Sequence, residues 1–289
     1  MSAGVWYAVG AYAAWGLFPI YWKLVAHVPA IQLIGHRILW SFLALAGVLA
    51  VSRQWRALAA VMSARIVRLY ALAAALIGVN WFTYVWAVNA GFIVETSLGY
   101  FINPLLSVVL GVVVLGERLR RLQWMAVGLA AAGVFYLTFA YGALPWIALV
   151  LACTFGLYGL IKKIAPLGSL QGLTLETGIL FVPALAYLIA AERAGDGAFL
   201  HTGPAADLLM AGAGLVTTLP LLMFASALRR IPLSVTGVLQ FIAPTLQFLL
   251  GVLVYKEPFT RVQFVGFSLV WAALVVFGLD GAAARRATA

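Results

Sequence analysis

Apolar residues run along this chain in long unbroken stretches, without the alternation of a half-buried strand or the narrow stripe of a soluble helix. Ten such stretches can be marked out: 5–25, 31–51, 67–88, 92–115, 122–140, 144–161, 170–190, 207–228, 233–255 and 262–279. Each is close to the ~20 residues a helix needs to cross a bilayer core. Short polar segments separate them. The longest is 191–206, with Glu192, Arg193 and Asp196, and nothing remains from which to build a soluble domain. The pattern predicts an all-α integral membrane protein with ten transmembrane helices. Several spans carry Gly or Pro, which bilayer helices tolerate better than soluble ones.

Composition sharpens this picture. Of 289 residues 65% are hydrophobic and 9% charged, against roughly half and about a quarter in an ordinary globular domain. Disorder, a secreted disulfide scaffold and a conventional soluble enzyme are excluded. The net charge of +10 would suggest nucleic acid in a soluble protein. Here the basic residues stand at the ends of apolar runs, so no nucleic-acid partner is expected. Arg53, Arg56, Arg65 and Arg68 follow span two, and Arg118, Arg120 and Arg121 follow span four. Lys162 and Lys163 follow span six, Arg229 and Arg230 span eight, and Arg285 and Arg286 span ten. By the positive-inside rule both termini are cytoplasmic, in a bacterial inner membrane.

Other chemistry is sparse. Met1 to Gly4 carry no basic residue, so no cleaved signal peptide is expected. The one cysteine, Cys153, lies inside an apolar run and is expected as a buried, inert thiol. His27, His36 and His201 are scattered, so neither a metal nor another cofactor is expected. No G-x-x-x-x-G-K-[ST], H-E-x-x-H or G-x-S-x-G occurs, which removes the common routes to nucleotide or peptide hydrolysis.

The chain also repeats itself. Shifted by 140 positions, Phe101-Ile102 falls on Phe241-Ile242, Pro104 on Pro244 and Gly111-Val112 on Gly251-Val252. Glu117 falls on Glu257, Gln123 on Gln263, Gly16-Leu17 on Gly156-Leu157 and Lys23 on Lys163. Aliphatic matches arise easily between apolar segments; Pro, Glu, Gln and Lys in one register do not. Two five-span repeats are predicted, 1–140 and 141–289. Five being odd, they cross the membrane in opposite senses, a 5+5 inverted repeat.

The segments Ala11-Tyr12, Trp15-Gly16, Pro19, Tyr21 and Lys23, then His36-Arg37 and Trp40-Ser41, then Asn80-Trp81 and Trp86-Ala87-Val88-Asn89 form a recognisable series. It continues with Ser97-Leu98-Gly99-Tyr100-Phe101-Ile102-Asn103-Pro104 and Leu115-Gly116-Glu117-Arg118. The second half adds Tyr158-Gly159-Leu160, Glu176-Thr177, Pro220-Leu221 and Pro244-Thr245. Over nearly its whole length the chain resembles the drug/metabolite transporter superfamily, its EamA family and the RarD-like branch. The resemblance implies ten helices, a 5+5 inverted repeat and a central substrate cavity. The YddG-type members, the better characterised neighbours, look like exporters of aromatic and other amino acids.

Pro104 and Pro244 lie near the middle of spans four and nine, and each denies a hydrogen bond to the carbonyl four residues back, of Tyr100 and Gln240. Tyr100, Asn103 and Ser107 share one helical face, and Gln240 and Gln247 share the corresponding face of the other half. Two related polar faces point to a shared cavity; the alternative is polar contact between helices, with the prolines as kinks. Trp15, Phe18, Asn80, Tyr84 and Tyr158 complete the candidate set. Trp6, Tyr7, Trp146 and Trp22, near span ends, fit the interfacial belt instead. Spans one, three, four, six, eight and nine are the expected lining. His36, Arg37, Glu95 and Glu176 are ionisable residues within spans and so candidates for gating or proton carriage. The alternative is that they pair with helix ends, or with Arg37, and hold packing. Glu117 and Glu257 are expected to pair locally with Arg118 and Lys256.

These readings converge on a monomeric secondary transporter, exporting small metabolites across the lipid bilayer by alternating access. Aromatic or apolar amino acids are the foremost cargo. Export of cationic drugs by the same fold is a second reading and would call for a carboxylate deep in the cavity. A membrane enzyme acting on a lipid head group is a third and would call for a polar cluster at an interface.

Overall fold

The computed structural model describes residues 2–90, 92–142, 145–256 and 260–286. The described residues form helices and connecting turns. In chain order these are α1 (Ala3–Leu24), α2 (Ala30–Val51), α3 (Trp55–Val61), α4 (Ala64–Asn89), α5 (Ile93–Val113) and α6 (Arg121–Tyr141). Then follow α7 (Trp146–Ile164), α8 (Ser169–Arg193), α9 (Pro204–Leu228), α10 (Leu233–Gln240), α11 (Ile242–Leu249) with a π-helical turn (Leu250–Val254), and α12 (Arg261–Arg286). Several outrun their apolar stretches. α4 begins among Arg65 and Arg68, and α8 ends on Arg193. Hydrogen bonding carries a helix past the hydrophobic boundary when its polar end can stay in water.

Eight of these units are long and apolar enough to cross a membrane: α2, α4, α6, α7, α8, α9, α10 through the π turn, and α12. Between 22% and 50% of each apolar window is buried inside the protein. The remaining apolar faces point outward, with Val51, Phe139 and Leu208 at 86%, 81% and 75% exposure. A helix apolar all round and half covered is matched to lipid rather than water, and the chain is a multi-pass membrane protein. The same physics corrects the reading of Cys153, which is exposed on α7 rather than buried. In a bilayer an apolar neighbourhood in the sequence does not imply an interior position.

The neighbours follow a pattern. α1 packs on α9 and α11, and α7 packs on α4 and α5. α2 packs on α8 and α9, α8 on α4, α5 on α10, and α6 on α12. Exchanging α1 with α7, α2 with α8, α4 with α9, α5 with α10–α11 and α6 with α12 maps these pairings onto themselves. Two elements depart from the sequence reading. The connection after span two contains α3, held by Leu58, which is buried with Leu49, Tyr70, Ala165 and Leu167. The ninth apolar stretch breaks at Phe241, where Pro244 leaves the Gln240 carbonyl without its helical donor. α5 passes through Pro104 without such a break.

Two glycines set helix crossings. A Cβ on Gly237 of α10 would lie 2.7 Å from the Pro104 carbonyl oxygen of α5. One on Gly214 of α9 would lie 2.5 Å from the Trp40 backbone carbon, at a crossing where Ser41 Oγ donates to the Gly214 carbonyl at 3.0 Å. Gly214→Ala forces those backbones apart and is expected to cost about 1–3 kcal/mol. The check is a drop in the thermal midpoint in detergent, with Gly128→Ala as the control that should not lower it, since nothing lies within 4 Å of its added Cβ.

Candidate functional site

A cavity of about 160 Å³ opens between the helices. Tyr12, Trp15, Phe18, Pro19 and Trp22 of α1, Arg37 of α2, and Asn80, Trp81 and Tyr84 of α4 line it. So do Gly99, Tyr100 and Asn103 of α5, Leu151 and Phe155 of α7, Thr217 and Leu221 of α9, and Gln240, Ala243, Pro244 and Gln247 of α10–α11. The lining is therefore an aromatic wall with a few polar groups, the usual make-up of a small-molecule site.

Hydrogen bonds fix those polar groups. Asn80 Nδ2 donates to the Leu151 carbonyl and to Thr154 Oγ1, both at 2.9 Å, and ties α4 to α7. Gln247 Nε2 donates to the Trp15 carbonyl at 3.1 Å and ties α11 to α1. The Tyr84 and Tyr100 rings meet edge to face at 5.8 Å. Trp15 packs on Phe155 at 5.8 Å, and Phe18 on Trp22 at 5.3 Å. Arg37 Nε donates to Thr217 Oγ1 at 3.0 Å, and its guanidinium lies 4.8 Å from the Trp22 ring and 4.6 Å from the Trp81 ring.

A wider space of about 550 Å³ adjoins this cavity and shares Pro19, Tyr100, Pro244 and Gln247 with it. It runs past Lys23, Tyr255, Thr260 and Gln263 toward one end of the bundle. The opposite end, where the basic connections gather, is sealed. Tyr12, Tyr158, Phe224, Leu228, Ile231 and Leu233 pack there in one buried cluster. Two polar contacts join helices across it. Glu117, beyond the end of α5, accepts from the Leu233 and Ser234 N–H groups at 2.6 and 2.8 Å, at the start of α10. Lys163 Nζ donates to the Leu228 and Ile231 carbonyls at 2.6 and 2.7 Å, after α9. Glu117 thus holds a helix N-terminus, where its charge meets the unpaired N–H groups and the positive end of the dipole. The expected pairing with Arg118 is not what it makes.

The remaining predicted residues divide clearly. Tyr158 and Ser107 are not among the lining residues. Tyr158 donates to Glu176 Oε2 at 3.0 Å, and Lys162 Nζ donates to Glu176 Oε1 at 2.7 Å, with the Lys162 and Glu176 side chains 4% and 1% exposed. The Glu176 partner is thus Lys162, read from the sequence as a loop charge but buried here. Ser107 Oγ lies 3.5 Å from Asn103 Oδ1 at the α5–α10 crossing. His36 is buried, packs at a tilt 5.0 Å from Phe199, is not among the cavity-lining residues, and has no hydrogen-bond partner for its Nδ1 among the described residues. The Glu95 side chain and Glu257 lie outside the described residues.

Sequence reasoning missed Tyr12, Phe155 and Thr217, and placed Trp22 in the interfacial belt although it lines the cavity. A usable signal existed. Phe155 and Leu221 are Trp15 and Trp81 shifted by 140 positions, just as Gln240 is Tyr100 shifted.

The profile of the EamA-like transporter family matches residues 2–139 and again 144–279. Protein RarD of Streptomyces exfoliatus is 47% identical over 99% of this chain and 91% of its own. The uncharacterized transporter YojE of Bacillus subtilis is 46% identical over 99% and 96%. A crystal structure of a protein only 16% identical superposes with a TM-score of 0.70 over 95% of this chain and 96% of that one, a likeness of fold alone. The family's description and the name of YojE speak of transport, which sets the membrane-enzyme reading aside. An aromatic cavity among lipid-facing helices, a family profile matched twice and relatives aligned end to end lead to one conclusion: the chain belongs to the EamA-like transporter family.

Proposed function

We propose that this protein is a secondary transporter that exports small metabolites, foremost aromatic or apolar amino acids, by alternating access. It works as a monomer in a bacterial inner membrane, with ten transmembrane helices in two inverted halves, 1–140 and 141–289. The observation that carries the reading is the cavity itself. It lies where the two halves meet, and its lining draws on repeat-related positions: Trp15 with Phe155, Trp81 with Leu221, Tyr100 with Gln240, Asn103 with Ala243. The double match of the family profile and the neighbour pattern that survives exchange of the halves support the same reading.

With both termini cytoplasmic, the sealed basic end faces the cytoplasm and the cavity opens outward. Rocking one half against the other would break the contacts of Glu117 with the Leu233 and Ser234 N–H groups and open the cavity inward. Aromatic rings suit an apolar side chain, while amides and freed carbonyls suit an amino and a carboxylate group.

Uptake of labelled amino acids by proteoliposomes tests this reading. Saturable flux is expected, falling at least about tenfold in Tyr100→Ala and Gln240→Ala, since each removes one wall of the same cavity. Flux unaltered by a pH gradient marks facilitated diffusion, and flux that follows it marks proton coupling. No amino-acid flux through well-folded protein would overturn the cargo.

A further inference from the structure

Arg37 is out of place as a scaffold residue. A guanidinium within a membrane span is costly and normally meets a carboxylate. Among the described residues the ion pairs are Arg120–Asp280, Lys162–Glu176 and His201–Glu192, and Arg37 enters none. Its one hydrogen bond among them uses Nε, toward Thr217. That leaves the two terminal nitrogens, the fork that grips a carboxylate, without a hydrogen bond among the described residues. The guanidinium lies over the Trp22 and Trp81 rings, which attract a cation while supplying no counter-charge. The described lining of the cavity has no acid, and the adjoining space adds a second cation, Lys23, on the open route.

We infer that Arg37 is the substrate's carboxylate-binding residue, and that the transporter selects small monocarboxylates bearing an apolar or aromatic group. The proposal rests on the cavity being the substrate site. It deepens the amino-acid reading in a definite way. The anion is read by a charge-assisted fork, whereas among the described lining an ammonium group would find neutral oxygens such as Asn80 Oδ1 and Gln247 Oε1. The carboxylate is thus required and the amine optional, so deaminated aromatic acids should be carried alongside the amino acids. A cationic compound would meet Lys23 and then Arg37, both repulsive, which argues against the cationic-drug cargo.

Three probes separate these demands on the purified full chain: phenylalanine, 3-phenylpropionate, which lacks the amine, and phenylalaninamide, which lacks the carboxylate. Binding is read by calorimetry in detergent and flux in proteoliposomes. Wild-type protein is expected to bind the two carboxylates at least about 10²-fold more tightly than the amide. Arg37→Gln should remove that discrimination. Arg37→Lys should recover part of it, as a point charge without the fork. The wild-type comparison needs no variant and so stands even where Arg37→Gln folds poorly. Equal binding of the amide and the two carboxylates, or failure of the protein to bind any probe, would overturn the role given to Arg37. Carboxylate-selective binding without flux would leave that role standing and overturn the transport reading instead.

Discussion

Replacing Glu176 with Ala is expected to destabilise the protein by about 3–5 kcal/mol, because it strands a buried Lys162 without its carboxylate. The two side chains are 4% and 1% exposed, so water cannot take over the lost contact. Tyr158 also loses its acceptor. The check is fluorescence-detected thermal unfolding in detergent, where the variant should melt several degrees lower. A double variant, Lys162→Met with Glu176→Leu, removes both charges and fills their volume, and should recover most of the loss. Tyr158→Phe should cost less than Glu176→Ala, since the ion pair survives it. Equal melting of wild type and Glu176→Ala would mean that Lys162 reaches solvent, contrary to the burial seen here.

That ion pair also marks a boundary of what a sequence discloses. The spans were legible because a bilayer demands about 20 apolar residues from each helix, whatever its neighbours. Pro, Glu and Lys recurring at one offset agree with the two matches of the family profile, 2–139 and 144–279. The break at Phe241 was not legible in that register, since Pro104 at the position matching Pro244 leaves α5 unbroken, whereas Trp15, Tyr100 and Gln240 do line the cavity as expected. Burial was not legible. In lipid an apolar residue is equally at home inside or outside, so Cys153 is exposed where a soluble rule buries it. Lys162 sits where a basic residue usually signals a loop, yet α7 continues through it to Ile164. Trp22 lies within a turn of the end of α1, the usual place for an interfacial ring, but the helix turns it toward Arg37. Helix rotation decides each of these cases, and rotation is set by partners distant in the chain.

Rotation and partners also decide which end of the bundle is shut, and here one residue carries a large share. Glu117 accepts two backbone N–H bonds at the start of α10, tying a residue beyond α5, in the first segment matched by the family profile, to the second matched segment. A hydrogen bond to a charged group contributes about 1.5–3 kcal/mol. Glu117→Ala removes two such bonds together with the charge at the helix N-terminus. Under alternating access those bonds exist only while the basic end is closed, so their loss shifts the balance toward the state open at that end. A net bias of about 3 kcal/mol corresponds to a change on the order of 10²-fold in its population. The shift can be read with a thiol. In a Cys153→Ser background, Ala227→Cys places a reporter at a position 0% exposed in the sealed cluster. Its alkylation by a membrane-impermeant maleimide, in detergent, should accelerate on the order of 10²-fold when Glu117→Ala is added. Glu192→Ala should leave the rate unchanged, since its pair with His201 is more than half exposed and remote from the seal. If Glu117→Ala also leaves it unchanged, the closed end is held by the apolar cluster around Leu228, Ile231 and Leu233 and by Lys163, without help from Glu117. The polar contact would then be a helix cap and nothing more. If the rate rises, the contact that ends α5 and begins α10 is a gate, because a cap made within one half could not have coupled the two.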